Sequence, residues 1–198
     1  VKPALGLTAA SGAGMLGWSL SREPGSPQFF AATGATAAIW IAGGLTRPPD
    51  PGGPVLAPVA TGLGAFAVFR AGVALAHRVP PLRRALRRAL RGVLGYATAG
   101  HRGAVLLTTL ANGVGEEVFF RGAVQQTVGP AGSTALYVLV TAATRNPALV
   151  AASAVMGALF AWQRHASGGV RAPLLTHLVW SALMVWRLPT LVPREPDP

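Results

Sequence analysis

Glu116 and Glu117 stand side by side inside an apolar run, Gly115-Glu116-Glu117-Val118-Phe119-Phe120-Arg121-Gly122. The chain has six carboxylates in all. Glu23 and Asp50 fall in Pro-rich linkers, and Glu195 and Asp197 fall in the polar C-terminal stretch. An ionised side chain at the centre of a bilayer costs about 2.5–3.5 kcal/mol on insertion scales, so a carboxylate pair there is first read as functional. Glu117 and Arg121 are spaced i, i+4 and share a helix face, where they can pair. Glu116 lies about 100° further round and points elsewhere. Two adjacent carboxylates in different surroundings can divide acid and base roles between them. The plainer reading, an ion-paired helix contact without chemistry, needs one glutamate and not two.

A second cluster is Thr176-His177-Leu178-Val179-Trp180-Ser181. His177 and Ser181 are again i and i+4. An imidazole in such a helix serves as base, hydrogen-bond donor or metal ligand; alone it would read as a core histidine bonded to a backbone carbonyl. A third cluster, Thr141 to Asn146, offers Thr141 or Asn146 as a donor, although Asn146-Pro147 also reads as a plain turn into a helix. His165, beside Arg164, sits at a predicted helix end, where the helix dipole favours it. His77 and His101, each beside an arginine, read as interfacial. There is no cysteine, so thiolate chemistry and disulfides are excluded.

The elements that must hold these groups read as helices. Ala4–Leu20, Phe29–Leu45 and Val55–Ala76 are apolar runs near the length of about 20 residues that a membrane span needs. Pro- and Gly-rich linkers separate them. Arg70 interrupts the third run and is expected to snorkel or to pair inside the bundle. Pro81–Tyr96 differs: Leu82, Leu86, Leu90 and Val93/Leu94 recur at helical spacing, opposite Arg83, Arg84, Arg87, Arg88 and Arg91. That pattern predicts an amphipathic helix in the headgroup plane, apolar side down and cytoplasmic by the positive-inside rule. Ala104–Val128 carries the glutamate pair, and Gly129-Pro130 breaks it. Ser133–Thr144, Ala148–Gln163 and a helix from Pro173 to about Arg187 follow, with Pro189 as the stop. The reading is an all-α polytopic transmembrane bundle of about seven helices with one amphipathic interfacial helix. It divides into 1–77, N-terminal transmembrane helices; 78–102, the basic amphipathic interfacial segment; 103–188, the core helices that carry the glutamate pair and His177; and 189–198, a disordered tail.

Bulk composition agrees. Residues are 51% apolar and only 12% charged, against about 25% charged in soluble domains, and mean hydropathy is +0.45. The formal charge is +11, with six of seventeen basic residues between Arg78 and Arg91. Beside an apolar run, that concentration points to the anionic lipid of the cytoplasmic leaflet and not to nucleic acid. No cleavable signal peptide is expected, and the location expected is the cell membrane, multi-pass.

Glu116-Glu117-Val118-Phe119-Phe120-Arg121 resembles the Glu-Glu-x-x-x-Arg motif of the CPBP intramembrane proteases. That family includes CAAX prenyl endopeptidases of the Rce1 type, bacteriocin-processing and immunity proteins, and the Abi proteins. His177-Leu178-Val179-Trp180-Ser181 is similar to its His-x-x-x-Asn/Asp motif, and the resemblance covers roughly Ala104 to Trp186. It implies peptide-bond hydrolysis in the membrane on a membrane-associated peptide or protein substrate. Glu116 would be the general base, Glu117 would assist it or pair with Arg121, and His177 would serve an oxyanion or metal site with Ser181 beside it. A divalent metal, zinc, would take Glu116 and His177 as ligands. Two positions depart from the pattern. The stretch matching the middle Phe-x-x-x-His motif is Tyr137–Thr141, without a histidine, and Ser181 replaces Asn or Asp. The alternative implied is a catalytically inactive member of the fold, a scaffold or immunity-type protein. A small transporter using the pair as a proton relay has no inverted repeat behind it.

Overall fold

The computed structural model describes residues 2–192, and every regular element among them is helical. The α-helices are α1 (Lys2–Ser19), α2 (Pro27–Leu45), α3 (Leu56–His77), α4 (Pro80–Thr98), α5 (Arg102–Glu116), α6 (Gln125–Thr141), α7 (Pro147–Ser167) and α8 (Arg171–Leu191). A π-helical stretch, Glu117–Val124, joins α5 to α6, and a 3-10 turn, Ala142–Thr144, follows α6.

Local chemistry sets most boundaries. Ser26 caps α2, its hydroxyl accepting from the Phe29 N–H at 3.1 Å, with Pro27 in the first turn. Asn146 caps α7 in the same way, accepting from the N–H groups of Ala148 and Leu149 at 2.9 and 3.3 Å. The turn reading of Asn146-Pro147 therefore holds, and the Asn146 carboxamide oxygen is engaged at that cap. Gly168, in the left-handed region at φ 73°, stops α7. Gly129 at φ 75° makes the expected break, here as a kink inside α6.

Two boundaries differ from expectation. The run predicted as one helix over 104–128 changes to π geometry at Glu117. Pro189 does not end α8, which continues to Leu191. Two residues from a helix end, the missing proline N–H removes a single ladder bond. The predicted tail falls mostly on residues 193–198, outside the described residues.

Among the described residues, three helices, α2, α3 and α8, are long and apolar enough to cross a membrane by length and composition. Leu56, Leu63, Val68 and Leu75 of α3 are exposed, an arrangement that suits lipid and not water. Arg70 of the same helix is exposed as well, so it does not pair inside the bundle.

The bundle has two ends. At one, the Tyr96 hydroxyl of α4 donates to the Leu20 carbonyl after α1. Leu90 and Leu94 of α4 pack there with Val73 of α3 and with Leu188 and Val192 of α8. At the other end the 46–55 loop holds the start of α8, with Val170 N–H donating to Asp50 O at 2.8 Å and Arg171 N–H to Gly52 O at 3.3 Å. Apolar residues of α4 thus meet the protein itself; Leu82, at its start, is exposed. This corrects the expectation that its apolar side faces lipid: α3 and α8 already cover it.

The N-terminal helices are built into the same bundle as the glutamate pair. Trp40 of α2, fully buried, stacks on Phe119 at 5.1 Å and meets Phe120 at 5.2 Å. Gly44 on α2 permits that approach. A Cβ on Gly44 would stand 2.5 Å from Val118 Cγ1 and 2.7 Å from the Val118 carbonyl oxygen. Because part of that obstacle is backbone, it cannot rotate away. Gly44→Val is expected to push α2 off the π segment at an overpacking cost of about 1–3 kcal/mol. The check is a thermal melt of the protein in detergent; a midpoint equal to wild type would overturn this packing.

Candidate active site

α5, the π segment and α8 bring the two sequence clusters together. Glu117 and Arg121 are fully buried and 3.3 Å apart (Oε1 to Nη1), the pairing their spacing predicted. The same Glu117 Oε1 lies 2.8 Å from His177 Nδ1. Glu116, at 9% exposure, points its Oε2 at the other ring nitrogen, His177 Nε2, across 3.9 Å. Both glutamates therefore reach one imidazole, each at a different edge. An ideal α-helix would turn neighbouring side chains by about 100°. The i→i+5 π geometry that begins at Glu117 has more residues per turn and narrows that divergence; such bulges concentrate at functional sites.

Each member is fixed by neighbours. The Arg121 guanidinium lies 4.4 Å from the Tyr137 ring centroid and 5.2 Å from that of Phe160, a cation–π sandwich between α6 and α7. Its Nη2 donates to the Gly157 carbonyl at 3.2 Å. A Cβ at Gly157 would sit 2.9 Å from the Tyr137 ring, so the glycine lets α7 approach. Phe160 stacks on His177 at 4.7 Å with 20° between ring planes. Beside His177, Thr176 accepts from Gln163 Nε2 at 2.8 Å and donates to the Pro58 carbonyl at 2.9 Å, tying α8 to α7 and α3.

Two partners of Glu116 were not singled out as such in the sequence. Asn112 Nδ2 donates to its Oε1 at 2.6 Å, and the Tyr137 hydroxyl donates to its Oε2 at 2.6 Å. Asn112 carried a signal, since it precedes Glu116 by four residues on α5. Tyr137 carried none beyond being a hydroxyl in an apolar run: it stands in the stretch compared with the histidine-bearing middle motif and comes from a separate helix. Thr141, at the end of that stretch, donates to the Tyr137 carbonyl at 2.8 Å. Ser181 is buried one turn beyond His177. His165 is exposed in the last turn of α7 and lines no part of the cavity described next.

Glu116, Tyr137, Thr141, His177 and Ser181 line a cavity of about 650 Å³. Its walls are mostly apolar, and Leu86, Leu90, Val93 and Tyr96 of α4 form its far side. From the start of α5, near α4, to Glu116 is about 20 Å at 1.5 Å per residue. The carboxylate and the imidazole therefore sit at the floor of a deep apolar recess roofed by α4.

A catalytic zinc takes three protein ligands and keeps one position open. Glu116 and His177 Nε2 are two. Glu117 is engaged by Arg121 and His177 Nδ1, and among the described residues no group of three His, Cys, Asp or Glu side chains is placed to hold a metal ion. The donor set does not fit a catalytic zinc site.

Compared with known proteins, residues 99–183 match the family described as Type II CAAX prenyl endopeptidase Rce1-like. The matched stretch runs from the end of α4 into α8 and contains Asn112, Glu116, Glu117, Arg121, Tyr137, His177 and Ser181. No curated protein and no solved structure matches the chain.

A buried charge pair broken on one side leaves an uncompensated charge, at a cost of about 3–5 kcal/mol. Arg121→Met is expected to destabilise the protein by that order. Adding Glu117→Gln should recover part of the loss, because the orphaned carboxylate is then removed. Thermal melts of both variants in detergent test this; a double variant less stable than Arg121→Met alone would contradict it.

Proposed function

We propose that the chain, whose residues 99–183 match the Rce1-like family, is a multi-pass intramembrane endopeptidase of the cell membrane that hydrolyses peptide bonds of membrane-associated substrates through a water activated by Glu116. The observation that carries this reading is the 3.9 Å separation of Glu116 Oε2 and His177 Nε2 at the floor of an apolar cavity.

A neutral imidazole carries one N–H. Facing the Glu117 carboxylate, which Arg121 keeps paired, that proton belongs on Nδ1. Nε2 is then an acceptor turned toward Glu116. A water lodged between the two directs one hydrogen at Glu116 Oε2 and the other at His177 Nε2, which aims its lone pair into the cavity. Glu116 takes the proton as the water oxygen bonds to the peptide carbonyl carbon. The Ser181 hydroxyl is the donor proposed for the resulting oxyanion. Glu116 then returns the proton to the amine nitrogen as the C–N bond breaks. Asn112 and Tyr137 hold the Glu116 carboxylate in place, and a carboxylate has acceptor positions left after those two bonds. Glu117, Arg121 and Phe160 position His177. The apolar walls suit a peptide carrying an apolar or lipidated tail.

One observation favours the second reading, a non-catalytic scaffold or immunity-type protein: both Glu116 oxygens already accept hydrogen bonds, and Tyr137 stands in the stretch where the resemblance has a histidine.

Cleavage of a prenylated CAAX peptide by the protein in proteoliposomes separates the two. The protease reading expects Glu116→Gln and His177→Ala each to lower kcat by about 100-fold or more, the order of a lost general base. Ser181→Ala should cost about 10²-fold, the order of one oxyanion donor. Cleavage by Glu116→Gln at the wild-type rate would falsify the mechanism. A wild type that cleaves neither this peptide nor an unprenylated membrane-anchored one supports the scaffold.

A further inference from the structure

α4 begins beside the end of α3 and finishes beside the start of α5, and both of those lie at the same end of the bundle. A helix of 19 residues, about 28 Å long, whose two ends share one end of a bundle must run across it. Leu86, Leu90, Val93 and Tyr96 are already used, as the roof of the cavity. Pro81, Arg83, Arg84, Arg87, Arg88 and Arg91 line a separate groove on the outside.

Three further observations fix what that groove meets. α3, an apolar helix long enough to cross a membrane, ends at His77, three residues before α4 begins, so α4 sits at headgroup depth. Trp18 and Trp186, exposed at this same end, are the residue type that marks the membrane–water boundary. Charge is also unequal between the ends. Arg22, Arg78, Arg102, Arg145 and Arg187 join the arginines of α4 here, whereas Lys2, Arg47, Arg164 and Arg171 lie at the other end. Among the described residues, Glu23 is the one carboxylate at the α4 end. By the positive-inside rule this end is cytoplasmic, where the leaflet is anionic.

We propose that the arginine face of α4 docks on anionic phospholipid headgroups of the cytoplasmic leaflet and so clamps the cavity roof to the membrane surface. The guanidinium fork matches phosphate oxygens two at a time, and arginines on successive turns present a row of such forks. The site's chemistry is not involved, so this stands or falls apart from the protease reading.

The test uses the full chain in nanodiscs of phosphatidylcholine alone or of phosphatidylcholine with phosphatidylglycerol, read by hydrogen exchange of the α4 amides. Phosphatidylglycerol should slow that exchange by about tenfold or more, the order expected when several arginines reach an anionic surface. High salt should remove the difference. Replacing Arg83, Arg84, Arg88 and Arg91 by Gln should remove it too, with exchange in the buried π segment unchanged as the check on folding. The salt titration needs no variant. Equal α4 exchange in both lipids would overturn the proposal. So would slowing produced by a short DNA duplex and not by phosphatidylglycerol, which would make the face a nucleic-acid surface.

Discussion

A charge that cannot reach water organises this protein. Glu117 is fully buried, and its stability depends on Arg121 at 3.3 Å and His177 at 2.8 Å. Removing two charges from water is repaid only when geometry and hydrogen bonding are both good. Hence the surrounding constraints: Gly157 bare enough for α7 to offer its carbonyl, Tyr137 and Phe160 flanking the guanidinium, Phe160 also stacked on the imidazole. Each ties a different helix to the same charge. The π segment, α6, α7 and α8 are held in register by a polar centre as much as by apolar packing.

The adjacent glutamate lives differently. Glu116 is one residue away in sequence, yet it opens on the cavity, held by Asn112 and Tyr137 and facing His177 Nε2. One carboxylate fixes the ring and the other faces the space where a reacting group would sit. That division follows from which side of the imidazole each meets. A single glutamate could hold the histidine or face the cavity, and doing both takes two.

The basic helix shows how a correct pattern can have two meanings. Its amphipathicity is plain from Leu82, Leu86, Leu90 and the arginines between them. Amphipathicity says that one face avoids water; it does not say whether lipid or protein covers that face. The start of α8 is anchored at the far end by the 46–55 loop, which brings its C-terminal Leu188 and Val192 up beside Val73. Those three residues make an apolar platform, and α4 lies on it. The amphipathic pattern thereby becomes a cavity roof with its charged side turned out.

By itself, the sequence determined the helical class, the break at Gly129, the turn into a helix at Asn146-Pro147 and the Glu117–Arg121 pair. All of these rest on spacing within a single helix, on residues with special backbone geometry, or on the high cost of charge in an apolar run. The tertiary structure decided what depends on contacts between distant helices. It placed Tyr137 on Glu116 from across α6, aligned both glutamates with one ring through a π segment that has no spacing signature, and gave α4 a protein surface to cover. It also carried α8 past Pro189, because near a helix end one lost hydrogen bond is outweighed by the packing of Leu188. Periodicity is a property of one element, whereas a site is a meeting of several, and only packing decides which faces meet.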